Sequence, residues 1–271
     1  MARLGDNYIL PGQSDHDRLR VISEIHDGAT RELLLRSGFT RGCRFVEFGC
    51  GLGYVSRWAA SQGARATGLD VNEEQIKACR SLAEAEGVGA EFRSANIYEP
   101  SLEPGSIDVA YCRWLMVHLN RPVEAMHAIF NALKPGGVMV CEEADISGVY
   151  AVPHSAAYEE MRDTSIQAGR ARNVDYEGGR CAHLWAKQAG FELIHVAAYH
   201  PHYLNGPHKG FWNWTLRIAT QSLVAEGTMS RKRWEELVEG MTEADNSPET
   251  VVAHSRMHQL IARKPKAVGN S

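Results

Sequence analysis

In "FVEFGCGLGY", residues 45–54, one carboxylate, Glu47, stands among apolar residues, and Gly49, Gly51 and Gly53 follow in alternation. Glycine reaches backbone angles closed to other residues and lets a ligand touch the main chain. A helix starting just after such a turn also offers its unpaired N–H groups there. The next apolar run, "RATGLD", ends on Asp70, 21 residues after Gly49. An acid at the end of a second parallel strand accepts the two hydroxyls of a ribose. The plain alternative for Asp70 is a turn acid that caps the following helix. Turn and acid together describe a nucleoside site. Tyr54 stands where a dinucleotide fingerprint GxGxxG needs its third glycine, no Tyr-xxx-Lys pair occurs, and GxxxxGK[ST] is absent. Neither a nicotinamide dinucleotide nor a nucleoside triphosphate is therefore expected. No basic residue follows the turn before Arg57, which suits a nucleoside without phosphates.

The elements that must position these residues are visible in the periodicity. Residues 14–37 read as a helix capped by Ser14, with Leu19, Ile22, Ile25, Leu33 and Leu34 at helical spacing. "CRFVEFG" is a strand, "VSRWAASQG" a helix and "RATGLD" a strand. "NEEQIKACRSLAEAEG" is a helix, capped by Asn72 and stopped at Gly87. "AEFRSANI", "SIDVAYCRW" and "VMVCEEAD" are three more strands, and "PVEAMHAIFNALKPGG" is a helix before the last of them. Strands alternating with helices predict a parallel sheet covered on both faces. Beyond residue 145 the alternation breaks. Helices are expected at 154–172, at "GRCAHLWAKQAGF", at 209–226 and at 230–243. Strands are expected at "FELIHVAAYHPHYL" and at the closing "TVVAHSRMHQLIARK".

A chain of 271 residues with a formal charge of −4 has no broad basic surface, so neither nucleic acid nor a membrane is an expected partner. No apolar run approaches the ~18 residues of a membrane span. The N-terminus lacks the apolar core of a signal peptide. The six cysteines form no CxxC pair and sit mostly in apolar segments. Free thiols in a cytoplasmic protein follow, with no metal site expected.

"VEFGCGLG", "GLD", "SANIYEP", "IDVAYCRWLMVHL" and "LKPGG", in that order, resemble the class I S-adenosylmethionine-dependent methyltransferases. The resemblance is close over residues 40–145 and weaker beyond. It implies a Rossmann-like, mostly parallel sheet with helices on both faces, an antiparallel last strand and helical insertions that cover the substrate. It further implies a single domain over 1–271: an N-terminal helical lid (1–40), a cofactor-binding core (41–145) and a substrate-side insertion with closing strands (146–271). The implied cofactor is S-adenosyl-L-methionine. Glu47, Gly49, Gly51 and Gly53 would hold its methionine part, Asp70 its ribose, and Val71, Asn96 and Ile97 its adenine. Cys112 and Arg113 would stand beside the sulfonium and the carboxylate, and Tyr8 would close the site. Asn96 replaces the acid usual in the family, and its carbonyl can still accept from the adenine amino group.

Methyl transfer from a sulfonium needs alignment and exclusion of water more than a catalytic triad. His118 and Glu143 are the candidate general bases, and Trp114 and Glu143 the candidate substrate contacts. His118 is equally a packing histidine, and Glu143 equally a turn acid. The expected substrate is a small molecule methylated on O, N or C, handled by a monomer or homodimer. The competing readings are a cofactor-binding protein without catalysis and a nicotinamide-dependent dehydrogenase.

Overall fold

The computed structural model describes residues 14–266. Helix α1 (Ser14–Arg36) leads into β1 (Arg44–Phe48), α2 (Tyr54–Ser61), β2 (Arg65–Asp70), α3 (Glu73–Glu86), β3 (Glu91–Ser94) and β4 (Ile107–Arg113). Helix α4 (Pro122–Ala132) and β5 (Leu133–Asp145) complete the alternating half. The remainder is β6 (Tyr150–Val152), α5 (Ala156–Ala171), α6 (Ala182–Gln188), β7 (Glu192–Tyr199), β8 (His202–Tyr203), α7 (Phe211–Ala225), α8 (Arg231–Asn246), β9 (Val251–Ala253) and β10 (Arg256–Arg263).

Seven strands form one sheet in the order β3-β2-β1-β4-β5-β10-β7. The pairs β1–β2, β1–β4, β2–β3 and β4–β5 are parallel, and β10 runs antiparallel between β5 and β7. The order reverses between β1 and β4, so the crevice for a ligand opens beyond the carboxyl ends of those two strands. Leu33 and Leu34 of α1 with Val55 and Ala59 of α2 pack on Phe45, Val109 and Val140 of one sheet face. Met126 and Ile129 of α4 with Ala186 of α6 pack on Val46, Ala110 and Met139 of the other. Strand side chains alternate between faces, which is why neighbouring residues join different clusters. Asn72 caps α3 by accepting from the amides of Glu74 and Gln75, and Gly87 ends it at φ +65°.

Three elements differ from their sequence-based spans. The helix predicted over 122–137 ends at Ala132, and the chain enters β5 at Leu133, paired with Ile107. Pro135 has no N–H to continue the helix, and Gly136 at φ +83° suits a strand irregularity. The run 191–204 divides around Pro201 into β7 and β8, and the closing run divides into β9 and β10. The short pieces β6, β9 and β8 pair with one another as a separate antiparallel sheet. With α5, α7 and α8 they make an apolar cluster that takes in Ile22 of α1 and Val117 after β4. Among the described residues no helix is long and apolar enough to cross a membrane.

Candidate active site

The glycine turn fills the crevice edge between β1 and α2. Gly49, Gly51 and Gly53 have φ +68°, +52° and +67°, angles that strain any other residue. A Cβ on Gly49 would lie 2.9 Å from a methyl of Leu115, and one on Gly53 would overlap the Phe92 ring. The turn is thus held by geometry as well as by conformation. Glu47 Oε2 accepts from the Ser56 amide (2.8 Å) and the Ser56 hydroxyl (2.5 Å) at the start of α2. Burial pushes the Glu47 pKa up to about 7, against the lowering pull of those bonds and of Arg113.

Asp70 holds the turn from the other side. Its Oδ2 accepts from the Gly51 amide and its Oδ1 from the Asn72 amide, both at 2.9 Å. Each carboxylate oxygen has a second lone pair, so a ribose can still be accepted. Burial pushes the Asp70 pKa up, and the amide bonds oppose it.

Glu47, the turn, Asp70, Val71, Asn96, Ile97, Arg113 and Trp114 all border one cavity of about 370 Å³, within the range of small-ligand sites. Val71 is half-exposed and Ile97 is buried at the opening. Asn96 accepts from the Tyr98 amide (3.0 Å), which leaves one carbonyl lone pair for a ligand. Arg113 lines the cavity while its guanidinium donates to Asp27 and to Thr30 of α1, each at 2.9 Å.

The cavity is also bordered by Arg18, Leu19 and Ile22 of α1, which the sequence reading did not assign to it, and Leu19 lies against Gly51. Arg18 is buried and pairs with Asp15 at 2.6 Å, and Asp15 accepts from Gln75 of α3 at 2.9 Å. The only signal for this in the sequence was an i, i+3 acid–base pair in the first turn of a helix, which usually marks a solvated face.

After β4 the chain turns sharply. Trp114 sits at φ +55°, rare for a bulky residue, and its amide donates to the Glu142 carbonyl. Glu143 does not line the cavity. Its carboxylate lies behind this turn and accepts from the amides of Leu115, Met116 and Val117 at 2.9–3.3 Å. It is fully buried, and burial pushes its pKa up to about 7. In this position it fixes the Trp114 turn instead of facing a substrate. His118 does border the cavity; burial and the charge of Arg18 bring its pKa down to about 3, so it stays neutral.

Cys112 also lies away from the cavity. Alternation along β4 sends Arg113 to the site and Cys112 into the core, beside Cys141 of β5. Cys112, Cys141 and Glu143 bring ligand-type atoms within 4.8 Å of one another, but the Glu143 oxygens are already engaged by the three amides. Tyr8, expected to close the site, lies outside the described residues. Residues 147–178, the first part of the expected substrate-side insertion, form β6, α5 and the loop bearing Tyr176, whose ring meets His118 edge-on at 5.5 Å.

Parallel sheet, positive-φ glycine turn and strand-end acid together define a nucleoside-binding domain. Residues 46–141 match the family described as "Methyltransferase domain". The ubiquinone biosynthesis O-methyltransferase of Bordetella pertussis is 31% identical over 126 residues, 46% of this chain and 51% of that protein. The protein of the same name from Colwellia psychrerythraea is 26% identical over 168 residues, 61% of this chain and 68% of that one. The chain spans about half the length of the first of these curated relatives. Among solved structures, the S-adenosylmethionine-dependent methyltransferase of Mesorhizobium loti shares the fold, with TM-score 0.52 and 21% identity over 87% of this chain and 96% of that one. So does phosphoethanolamine N-methyltransferase 2 of Haemonchus contortus in complex with S-adenosyl-L-methionine, with TM-score 0.54 and 20% identity over 97% and 55%. The [4+2]-cyclase SpnF does too, with TM-score 0.58 and 16% identity over 89% and 82%. Residues 46–141 thus carry a methyltransferase domain of the class I S-adenosylmethionine-dependent type, whose cofactor is S-adenosyl-L-methionine.

Proposed function

We propose that this protein transfers a methyl group from S-adenosyl-L-methionine to a small molecule, and that the acceptor atom is oxygen. The carrying observation is the glycine turn clamped between Glu47 and Asp70 at the mouth of one cavity. The curated relatives named O-methyltransferases support the choice of oxygen. When bound, the cofactor supplies an activated methyl on a sulfonium. The chain's own residues would do the rest. Glu47 faces the ammonium end, Asp70 accepts the ribose hydroxyls, and Asn96 with Ile97 receives the adenine. Arg113, anchored by Asp27, sets the carboxylate end. Glu143 positions the turn that carries Trp114 and His118.

We assign residues 14–40 to the cover of the cavity, 41–145 to the cofactor core and 146–266 to the substrate side. With its pKa near 3, His118 is too weak a base to take a proton at neutral pH. The SpnF fold, which serves a cyclase, makes the reaction itself the thing to test. Incubation with S-adenosyl-L-methionine labelled in the methyl group and a panel of hydroxylated and amino aromatic acceptors should move label to the hydroxylated members. Cofactor binding without label transfer to any acceptor would contradict methyl transfer. Transfer to the amines alone would contradict the oxygen assignment.

A further inference from the structure

Arg113 borders the cavity from the end of β4, and its side chain keeps 11% of its surface exposed there. Its Nη2 donates to Asp27 Oδ1 and its Nη1 to the Thr30 hydroxyl, each at 2.9 Å. Asp27 and Thr30 stand three residues apart on α1, so they share one face of the helix and grip both arms of the guanidinium. Ser23, one turn earlier, donates to the other Asp27 oxygen at 2.6 Å and fixes that carboxylate. A guanidinium carries more N–H donors than these two contacts use, and no described residue takes the rest.

Thr30 is held in turn by a second buried acid. Its hydroxyl donates to Glu142 Oε2, and the Tyr111 hydroxyl donates to the same oxygen at 2.8 Å. Gln259 of β10 donates to Glu142 Oε1 at 2.8 Å. Thr30 and Glu142 are both fully buried. A threonine hydroxyl has one hydrogen and two lone pairs, whereas a guanidinium can only donate. With its hydrogen committed to Glu142, Thr30 is left presenting a lone pair to Arg113. Glu142 therefore sets the direction of the bond that Thr30 makes. Asp27, Thr30 and Glu142 all lie outside residues 46–141. A network that merely fastened α1 to the sheet would not need to end on a cation at the cavity. The other cation bordering the cavity, Arg18, is tied to Asp15.

Resting on the methyltransferase reading above, we propose that Thr30 and Glu142 are positioning residues of the cofactor site. Glu142 orients the Thr30 hydroxyl, and Thr30 with Asp27 sets the Arg113 fork. The fork receives the carboxylate of the amino-acid part of the cofactor. Neither Thr30 nor Glu142 touches the cofactor. An arginine held in place beforehand loses less side-chain freedom when the ligand arrives. Helix α1 thus serves the amino-acid end of the cofactor as well as bordering the cavity.

The test compares two ligands of the full chain by calorimetry. S-Adenosylhomocysteine carries the carboxylate, and 5′-methylthioadenosine keeps the adenosine but lacks the amino-acid part. Thr30→Val keeps the side-chain shape and removes the hydroxyl. It should weaken S-adenosylhomocysteine binding by about tenfold and leave 5′-methylthioadenosine within about twofold. Thr30→Ser, which keeps the hydroxyl, should bring S-adenosylhomocysteine back to within about twofold of the unmodified protein. Glu142→Gln has one oxygen for three donors, and should weaken S-adenosylhomocysteine by about threefold or more with 5′-methylthioadenosine again unmoved. If Thr30→Val does not fold, Glu142→Gln decides the question by the same comparison. A purely structural role would move both ligands together. Equal loss of both ligands, unchanged S-adenosylhomocysteine affinity, a Thr30→Ser protein as weak as Thr30→Val, or equal affinity of the unmodified protein for the two ligands would each overturn the positioning role. If the unmodified protein binds neither ligand, the methyltransferase reading itself falls.

Discussion

The two ends of the cavity are built on opposite plans. At the glycine end every carboxylate is already tied to backbone: Asp70 to Gly51 and Asn72, Glu47 to Ser56. These bonds hold the site in shape before any ligand arrives, and what a ligand adds is further lone-pair acceptance. At the Trp114 end the backbone is strained, and among the described residues the buried indole Nε1 of Trp114 has no hydrogen-bond partner. A pre-shaped end suits a constant cofactor. An end with unmet hydrogen bonds discriminates between acceptors, because a wrong one leaves buried groups unpaired.

If that contrast holds, changes at the glycine end should act on cofactor affinity and changes at the other end on turnover. The largest effect is expected for Asp70→Ala. Two charge-assisted bonds to the ribose are worth roughly 1.5–3 kcal/mol each at most. S-adenosylhomocysteine affinity should therefore fall by about a hundredfold or more, measured by calorimetry. Asp70→Asn, which can still accept, should lose less. Equal affinity for Asp70→Ala and the unmodified protein would reduce Asp70 to a turn acid.

Next in size is a pH effect at Glu47. Its folded pKa is raised to about 7 by burial, so it is largely protonated at pH 6 and largely ionised at pH 8. A cofactor ammonium favours the ionised form. Affinity should be level above pH 7 and fall toward tenfold per pH unit below it, with proton release visible in buffers of different ionisation heat. A profile flat from pH 6 to 8 would remove Glu47 from the ammonium contact.

Glu143→Gln should act on the other end. One amide oxygen cannot serve three N–H donors, and each donor left unpaired costs about 1–3 kcal/mol. We expect a lower melting temperature and about tenfold slower turnover, with S-adenosylhomocysteine affinity within about twofold. Smallest of all, Cys112→Ala should leave cofactor affinity and turnover unchanged and trim only stability, because Cys112 packs in the core away from the cavity.

The same contrast decides what the sequence could tell. The glycine end was legible because its chemistry is local. Three glycines, one strand-end acid and the alternation of elements are short-range patterns, and the observed turn, Asn72 cap and parallel pairing agree with them. The other end is made by segments far apart in the chain: Ile22 in α1 and Trp114 after β4, which share one apolar cluster. No spacing rule joins these. Glu143 was misplaced for a related reason. A strand-end acid reads as facing the crevice, but the sharp turn at Trp114 brings three amides over it and takes it out of contact with the cavity. Cys112 shows that parity along a strand must be fixed before a side chain is assigned. Arg113 was the residue on the cavity side, and its neighbour could not be.

The central claim is that the turn at residues 49–53 and Asp70 form an S-adenosylmethionine site, and a calorimetric titration tests it directly. The unmodified protein, titrated in turn with S-adenosylhomocysteine, S-adenosyl-L-methionine and NAD, should bind the first two at one site per chain and give no heat with NAD. Binding of NAD with no response to either of the others would contradict the account.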